Sequence, residues 1–338
     1  MNPIIAKLAV IFLGILGFLL ALWIYHKKKR NEQMVCPFRG ECGQVIFSRY
    51  SQFFGIELTH LGMMYYGFIV FAYTVMLLFH KLVVPEVVFV MLGISMVGFL
   101  FSLYLTGVQA FLLKRWCTWC LCSMALCTFI FIVTVVGIEF SVVKLFADYK
   151  GLIVLFHSIA AAIGVGAVTI TDVFFFRFLK DYRISQDEAD IMRILSDIIW
   201  FTLGLLVLTS IGLFVPATAV ILIKTKFIME IIITLVLIIN GVVLNLVVHP
   251  RLVDISFGEE SVDHTDELHH LRKLAYALGG VSLVSWYGVF ILGSLSVIPL
   301  SFGALIALYA VLIIIAIAAS QYFDYLVTNK KISPTALS

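Results

Sequence analysis

Trp116-Cys117-Thr118-Trp119-Cys120 opens an apolar run that continues to residue 136 without a charge. A run of that length and character is a candidate transmembrane helix. The two cysteines stand at i and i+3, so they share one helix face. The exposed N–H groups and dipole of a helix N-terminus lower a thiol pKa, and the thiolate is the nucleophile. Lys114 and Arg115 add positive potential just upstream. A dithiol placed there, at a membrane surface, can exchange electrons between a protein in water and a carrier in lipid.

A second pair lies upstream in Cys36-Pro37-Phe38-Arg39-Gly40-Glu41-Cys42, a polar stretch whose Pro and Gly read as a surface loop. These pairs account for four of the six cysteines. Cys122 and Cys127 fall within the apolar helix, where a buried cysteine acts as a small packing residue. A zinc centre would want four ligands at short knuckle spacing. Five residues separate Cys36 from Cys42, and the other pair opens a hydrophobic span, so no metal site is expected. A purely structural Cys36–Cys42 disulfide stays open as an alternative.

The whole chain agrees with a membrane reading. Its 338 residues are 62% hydrophobic and 13% charged, with a mean hydropathy of +1.10, which excludes an ordinary soluble domain. Nine segments reach the ~20 apolar residues a span needs: residues 4–25, 58–79, 87–113, 116–136, 152–176, 198–222, 227–248, 274–295 and 302–322. The first lacks a small-residue cleavage site before the basic run 26–30 and reads as a retained span. The net charge of +3 is spread over loops and implies no nucleic-acid partner. The expected fold is all-α and polytopic, a four-helix bundle followed by about five further transmembrane helices.

Five elements in order carry a family resemblance. They are Cys42 with the downstream Ser48, Phe54-Gly55, Leu61-Gly62 with Tyr65-Tyr66, and the Cys117/Cys120 pair, with Cys36 as outer partner. Residues 1–138 resemble the vitamin K epoxide reductase family, in its microbial disulfide-forming, quinone-reducing branch. The resemblance implies a four-helix bundle around a quinone, with Cys117 and Cys120 as the catalytic pair and Cys120 nearer the quinone. It makes Cys36 and Cys42 the shuttle pair, and puts Ser48 on a short surface helix that caps the quinone pocket. Phe54, Tyr65, Tyr66 and Trp119 would supply aromatic faces. Packing is the plainer reading of the two tyrosines, and a helix cap that of Ser48. Met124 stands one turn after Cys120, and the polar quinone-contacting Asn and Tyr of the animal members are missing. Epoxide reduction is therefore not expected, and menaquinone and ubiquinone types are not distinguishable.

Electrons would pass from a reduced thioredoxin-like partner acting in trans, through Cys36/Cys42 and Cys117/Cys120, to the quinone pool of the lipid bilayer. The product is a disulfide in the partner. Alternative readings are a redox-sensing membrane scaffold or transporter, and a haem-dependent electron carrier in the second half.

Residues 139–150 read as a linker, and residues 151–338 as a five-span membrane domain of unknown function outside the resemblance. No cysteine follows Cys127. Polar candidates are His157, Asp172, Glu230, Asn240, Asn245 and His249, because polar groups within spans are functional by default; simple solvation near the interface is the plainer reading of Asp172, Glu230 and His249, and a buried, hydrogen-bonded side chain that of His157. His157 and His249 fall near opposite membrane faces, so they cannot both ligate one haem; His157 alone stays a candidate. Residues 254–270 are acidic and His-rich and read as a solvated loop.

Alternating spans divide the basic residues unequally. The side bearing the four cysteines holds 17 of the 23 Lys and Arg, and the opposite side holds 6. Positive-inside puts the cysteine side in the cytoplasm. The family resemblance puts it outside, where disulfides persist. The expectation leans to an integral cell-membrane protein with an extracytoplasmic cysteine face.

Overall fold

A computed structural model describes residues 2–30, 32, 36, 40–178, 186–217, 225–244, 248, 265–295 and 298–332. Among them are nine helices long and apolar enough to cross a membrane. The protein is all-α and polytopic, and its large exposed apolar faces suit a lipid solvent. The chain divides into two compact units, Met1–Gly151 with Ile211–Pro216, and Leu152–Ser210 with Ala217–Ser338.

The first unit is built on α1 (Pro3–Lys29), α2 (Cys42–Ile46), α3 (Leu58–Leu78), α4 (Pro85–Gly107), α5 (Thr118–Gly137) and α6 (Val142–Asp148). Helix α1 packs on α3 and α5, and α4 packs on α5. The close approach of α1 and α3 depends on small residues. A Cβ on Gly14 would meet Val70, and one on Gly17 would collide with the Tyr66 ring. Lys7, 5% exposed, pairs with Glu139 at 3.0 Å and ties the start of α1 to the residues after α5.

Between α2 and α3 the chain makes a 3-10 turn, Arg49–Ser51, and a two-residue hairpin pairing Gln52 with Glu57 and Phe53 with Ile56. Phe54 (φ 50°) and Gly55 (φ 74°) form its tip. A two-residue hairpin turn with both central residues at positive φ matches the strand twist. Helix α4 continues through a π-helical turn, Val108–Leu113, closed by Lys114 in the left-handed region.

The stretch 139–150, expected as a linker, contains α6 capped by Ser141. Leu145 and Phe146 are buried, and Tyr149 stacks on Phe89 at 4.6 Å.

The second unit contains α7 (Lys150–Phe178), α8 (Gln186–Phe214), α9 (Thr225–Val243), α10 (Thr265–Ser294) and α11 (Phe302–Ile332), with the first two residues of α7 and the end of α8 from Ile211 grouped in the first unit. The sixth span was expected at residues 198–222. The structure instead gives Asp190–Phe214, followed by a 3-10 turn over Val215–Ala217. Pro216 is the cause, since it lacks an N–H and clashes with the preceding turn. The core gathers Ala160 and Val168 of α7, Leu203 and Leu206 of α8, Met229, Ile233 and Leu237 of α9, and Trp286 and Val289 of α10. Trp286 fills the space over Gly164, where any Cβ would clash.

Candidate functional site

Helix α5 begins at Thr118, which makes Cys117 its N-cap and places it one residue ahead of the span. The Cys120 N–H donates to Cys117 Sγ at 3.3 Å, and the two sulfurs lie 2.7 Å apart with both cysteines as thiols. The Cys117 thiol is held below its ordinary range. The hydrogen bond from Cys120 is the largest cause, opposed by burial and helped by the backbone N–H groups of Cys120 and Trp119. A side chain that accepts from its own helix N-terminus is favoured as an anion.

Gln109 was not singled out in the sequence. It sits in the π-helical turn, 3% exposed, and its Oε1 accepts the Cys117 N–H at 3.0 Å. The Arg115 N–H donates to the Gln109 carbonyl at 3.2 Å. The signal available was a polar amide inside an apolar span.

Cys36 and Cys42 form a disulfide with a Cα–Cα separation of 5.6 Å. Cys42 opens α2 and is buried, whereas Cys36 is half-exposed. The Glu41 N–H donates to the Trp116 carbonyl at 2.9 Å, and Arg115 pairs with Glu41. The Thr118 hydroxyl lies 3.7 Å from Cys36 Sγ. Gly40 stands where a Cβ would press on Cys36 Sγ and the Trp116 carbonyl, so this crossing needs glycine. Cys42, Val45, Ile46, Ile24 and Cys117 form one buried cluster, against which Cys36 and Cys120 pack. Both cysteine pairs therefore meet in one place.

Beside them is a cavity of about 140 Å³, lined mainly by apolar side chains of α1, α2, α3, α4 and α5 and including Cys120 and Met124. A cavity on the order of 150 Å³ takes a benzene ring, so one aromatic ring fits here. A quinone head group suits this space: a mainly apolar cavity with a thiol and several hydroxyl and amide groups on its wall.

The structure brings Ser48, Tyr66 and Cys120 to the cavity wall, and does not bring Phe54, Tyr65 or Trp119 there. Ser48 lies outside α2, at the bend before the 3-10 turn, and its hydroxyl donates to the Val45 carbonyl at 2.7 Å. The resemblance had it on the helix itself. The Tyr66 hydroxyl contacts Ser123 Oγ at 2.8 Å and Cys127 Sγ at 3.2 Å. Tyr65, about 100° further round α3, points elsewhere and packs over Gly98. Trp119 meets Trp23 at 4.8 Å. Phe54 is exposed at the hairpin tip against Phe53. Cys122 is exposed and Cys127 buried.

In the second unit, His157 Nδ1 hydrogen-bonds Thr209 Oγ1 at 2.9 Å. The Asn240 amide donates to the Leu278 carbonyl at 3.1 Å. Asp172 lies against Gly279, and Glu230 is 3.8 Å from Lys226. Arg272 and Asp324, each 1% exposed, pair at 2.7 Å. Arg272 was not singled out from the sequence either. Asn245, His249 and residues 254–264 lie outside the described residues.

Fold and site together define an integral membrane protein with two facing cysteine pairs beside an apolar cavity. Residues 8–135 match the model of the vitamin K epoxide reductase family, so the resemblance read from the sequence holds over that segment. The family implies a membrane oxidoreductase of thiols and disulfides, associated with quinone. No curated protein and no solved structure matches the chain.

Proposed function

We propose that the protein oxidises the dithiol of a thioredoxin-like partner acting in trans and passes the electrons to a quinone of the bilayer. The observation that carries this reading is the shared cluster of Cys36–Cys42 and Cys117/Cys120, with Cys120 on the cavity wall. A partner thiolate attacks Cys36, the more accessible sulfur of the loop disulfide. The partner's second thiol resolves the mixed disulfide, leaving Cys36 and Cys42 reduced and the partner oxidised. The loop dithiol then reduces the Cys117–Cys120 disulfide, regenerating Cys36–Cys42. When bound, quinone supplies a two-electron, two-proton sink. Cys117 and Cys120 give up two electrons and two protons as their Sγ–Sγ bond re-forms. Cys117 is fully buried, so a protein partner reaches the inner pair through the loop pair.

Single substitutions test this order. Cys120→Ser abolishes quinone reduction with every donor. Cys36→Ser and Cys42→Ser abolish oxidation of a protein partner and retain quinone reduction by a small dithiol. Cys122→Ser and Cys127→Ser keep activity with both donors. Equal loss in all of them would overturn the relay.

A further inference from the structure

We propose that Lys28 is a catalytic residue of the cavity, donating a hydrogen bond to a carbonyl oxygen of the bound quinone and supplying one of the two protons. This rests on the quinone reading above. Lys28 was counted in the sequence only as one of a basic run, but the structure separates it from its neighbours. It lines the cavity that Cys120 lines, with its side chain 14% exposed, whereas Lys29 is exposed and lies over the Tyr25 ring. Ala21, Ile24 and Lys28 fall on one face of α1. Ile24 belongs to the cysteine cluster, and Lys28 is one turn further along, a rise of roughly 6 Å.

Among the described residues that line the cavity, Lys28 is the one with a basic or acidic side chain. An ammonium carries three donors. One faces Glu57 Oε1 at 3.3 Å and one reaches Ser51 Oγ at 3.2 Å. The third has no partner among the described residues. Four other donors of the wall are committed. The hydroxyls of Ser48, Ser102 and Thr106 donate to backbone carbonyls at 2.7–2.8 Å, and Tyr66 is held by Ser123. A quinone ring offers acceptors at its two carbonyl oxygens. Lys28 is thus the group with an uncommitted, charge-assisted donor for one of them.

Charge develops on those oxygens as the electrons arrive, and a cation in a low-dielectric site stabilises it more than water would. The balance closes. The two thiols become one disulfide, losing two electrons and two protons; the acceptor takes up two electrons and two protons, one of the protons from Lys28. Lys28 delivers one of the acceptor's two protons and regains it from water, into which one of the two thiol protons is released; its partner Glu57 is partly exposed.

The test compares Lys28→Met, Lys28→Arg and Lys29→Met in purified full-length protein. Equilibrium dialysis measures affinity for a short-chain quinone and for the same ring without its carbonyl oxygens. Turnover is followed with a small dithiol. Lys28→Met weakens quinone binding and turnover roughly ten- to a hundredfold, the scale of a hydrogen bond to a charged group. Lys28→Arg recovers most of both, Lys29→Met changes neither, and the oxygen-free ring binds all variants equally. Unchanged quinone affinity in Lys28→Met overturns the assignment, as does an equal loss for the oxygen-free ring. Wild-type protein that binds quinone in a Lys28-dependent way but does not reduce it would overturn the proposed function alone. Wild-type protein that binds no quinone overturns both.

Discussion

Gln109 presents its side-chain oxygen to the Cys117 N–H from inside a π-helical turn. Such turns occur often at functional sites, and here the widened turn precedes the left-handed Lys114 that redirects the chain toward Cys117. Gln109→Leu leaves a buried N–H without its acceptor, a cost of about 1–3 kcal/mol. The expected outcome is a lower melting temperature together with slower exchange between the cysteine pairs in single-turnover measurements. A variant that melts earlier yet exchanges at the wild-type rate would limit Gln109 to a structural part. The residue was readable in principle, as an amide in an apolar span. Its partner was not, because nothing in the order of residues says that a side chain of the third span meets the first backbone N–H of the fourth.

Within the helical elements, close contact rests on glycines of α1 and α7 and on the buried Arg272–Asp324 pair. Gly17→Ala drives a Cβ into the Tyr66 ring, which Ser123 holds in place. Overpacking of this kind costs about 1–3 kcal/mol. Thermal unfolding should show that loss, while Gly62→Ala, whose Cβ makes ordinary contact with Ala21 at 3.6 Å, stays near wild type. In the second unit, Asp324→Ala withdraws a carboxylate from the buried Arg272 guanidinium. Breaking a buried pair by removing one partner costs about 3–5 kcal/mol, so this variant should be the less stable of the two in the same assay. The hydropathy pattern located these helices to within a few residues, except where Pro216 cut the sixth span short. It could not orient them about their axes, since apolar residues surround each helix and lipid rewards burial no more than exposure.

For the molecule as a whole, orientation is the property on which charge and chemistry disagree. Alternation of the apolar segments in the sequence assigns 17 of 23 basic residues to the cysteine side and 6 to the other, and a positive loop favours the cytoplasm. Disulfide formation favours the other side. Our expectation is an extracytoplasmic cysteine face. Alternation of the nine apolar segments read from the sequence leads us to expect residue 338 on that face, so a reporter fused after Ser338 should be active only outside the cytoplasm. Activity only inside would make the protein a cytosolic thiol oxidase, with the quinone pool still in reach from the lipid.

By itself the sequence determined the membrane class, the nine spans and the two cysteine pairs. Each of those is a local property: apolar length against bilayer thickness, or thiols at a fixed spacing. Tertiary structure alone decided that Cys36–Cys42 and Cys117/Cys120 meet in one cluster. It also decided that Tyr66 rather than Tyr65 faces the cavity, that Phe54 does not, and that Lys28 does. Those outcomes depend on how close-packed helices turn toward one another, a geometry set by the joint fit of side chains far apart in the chain.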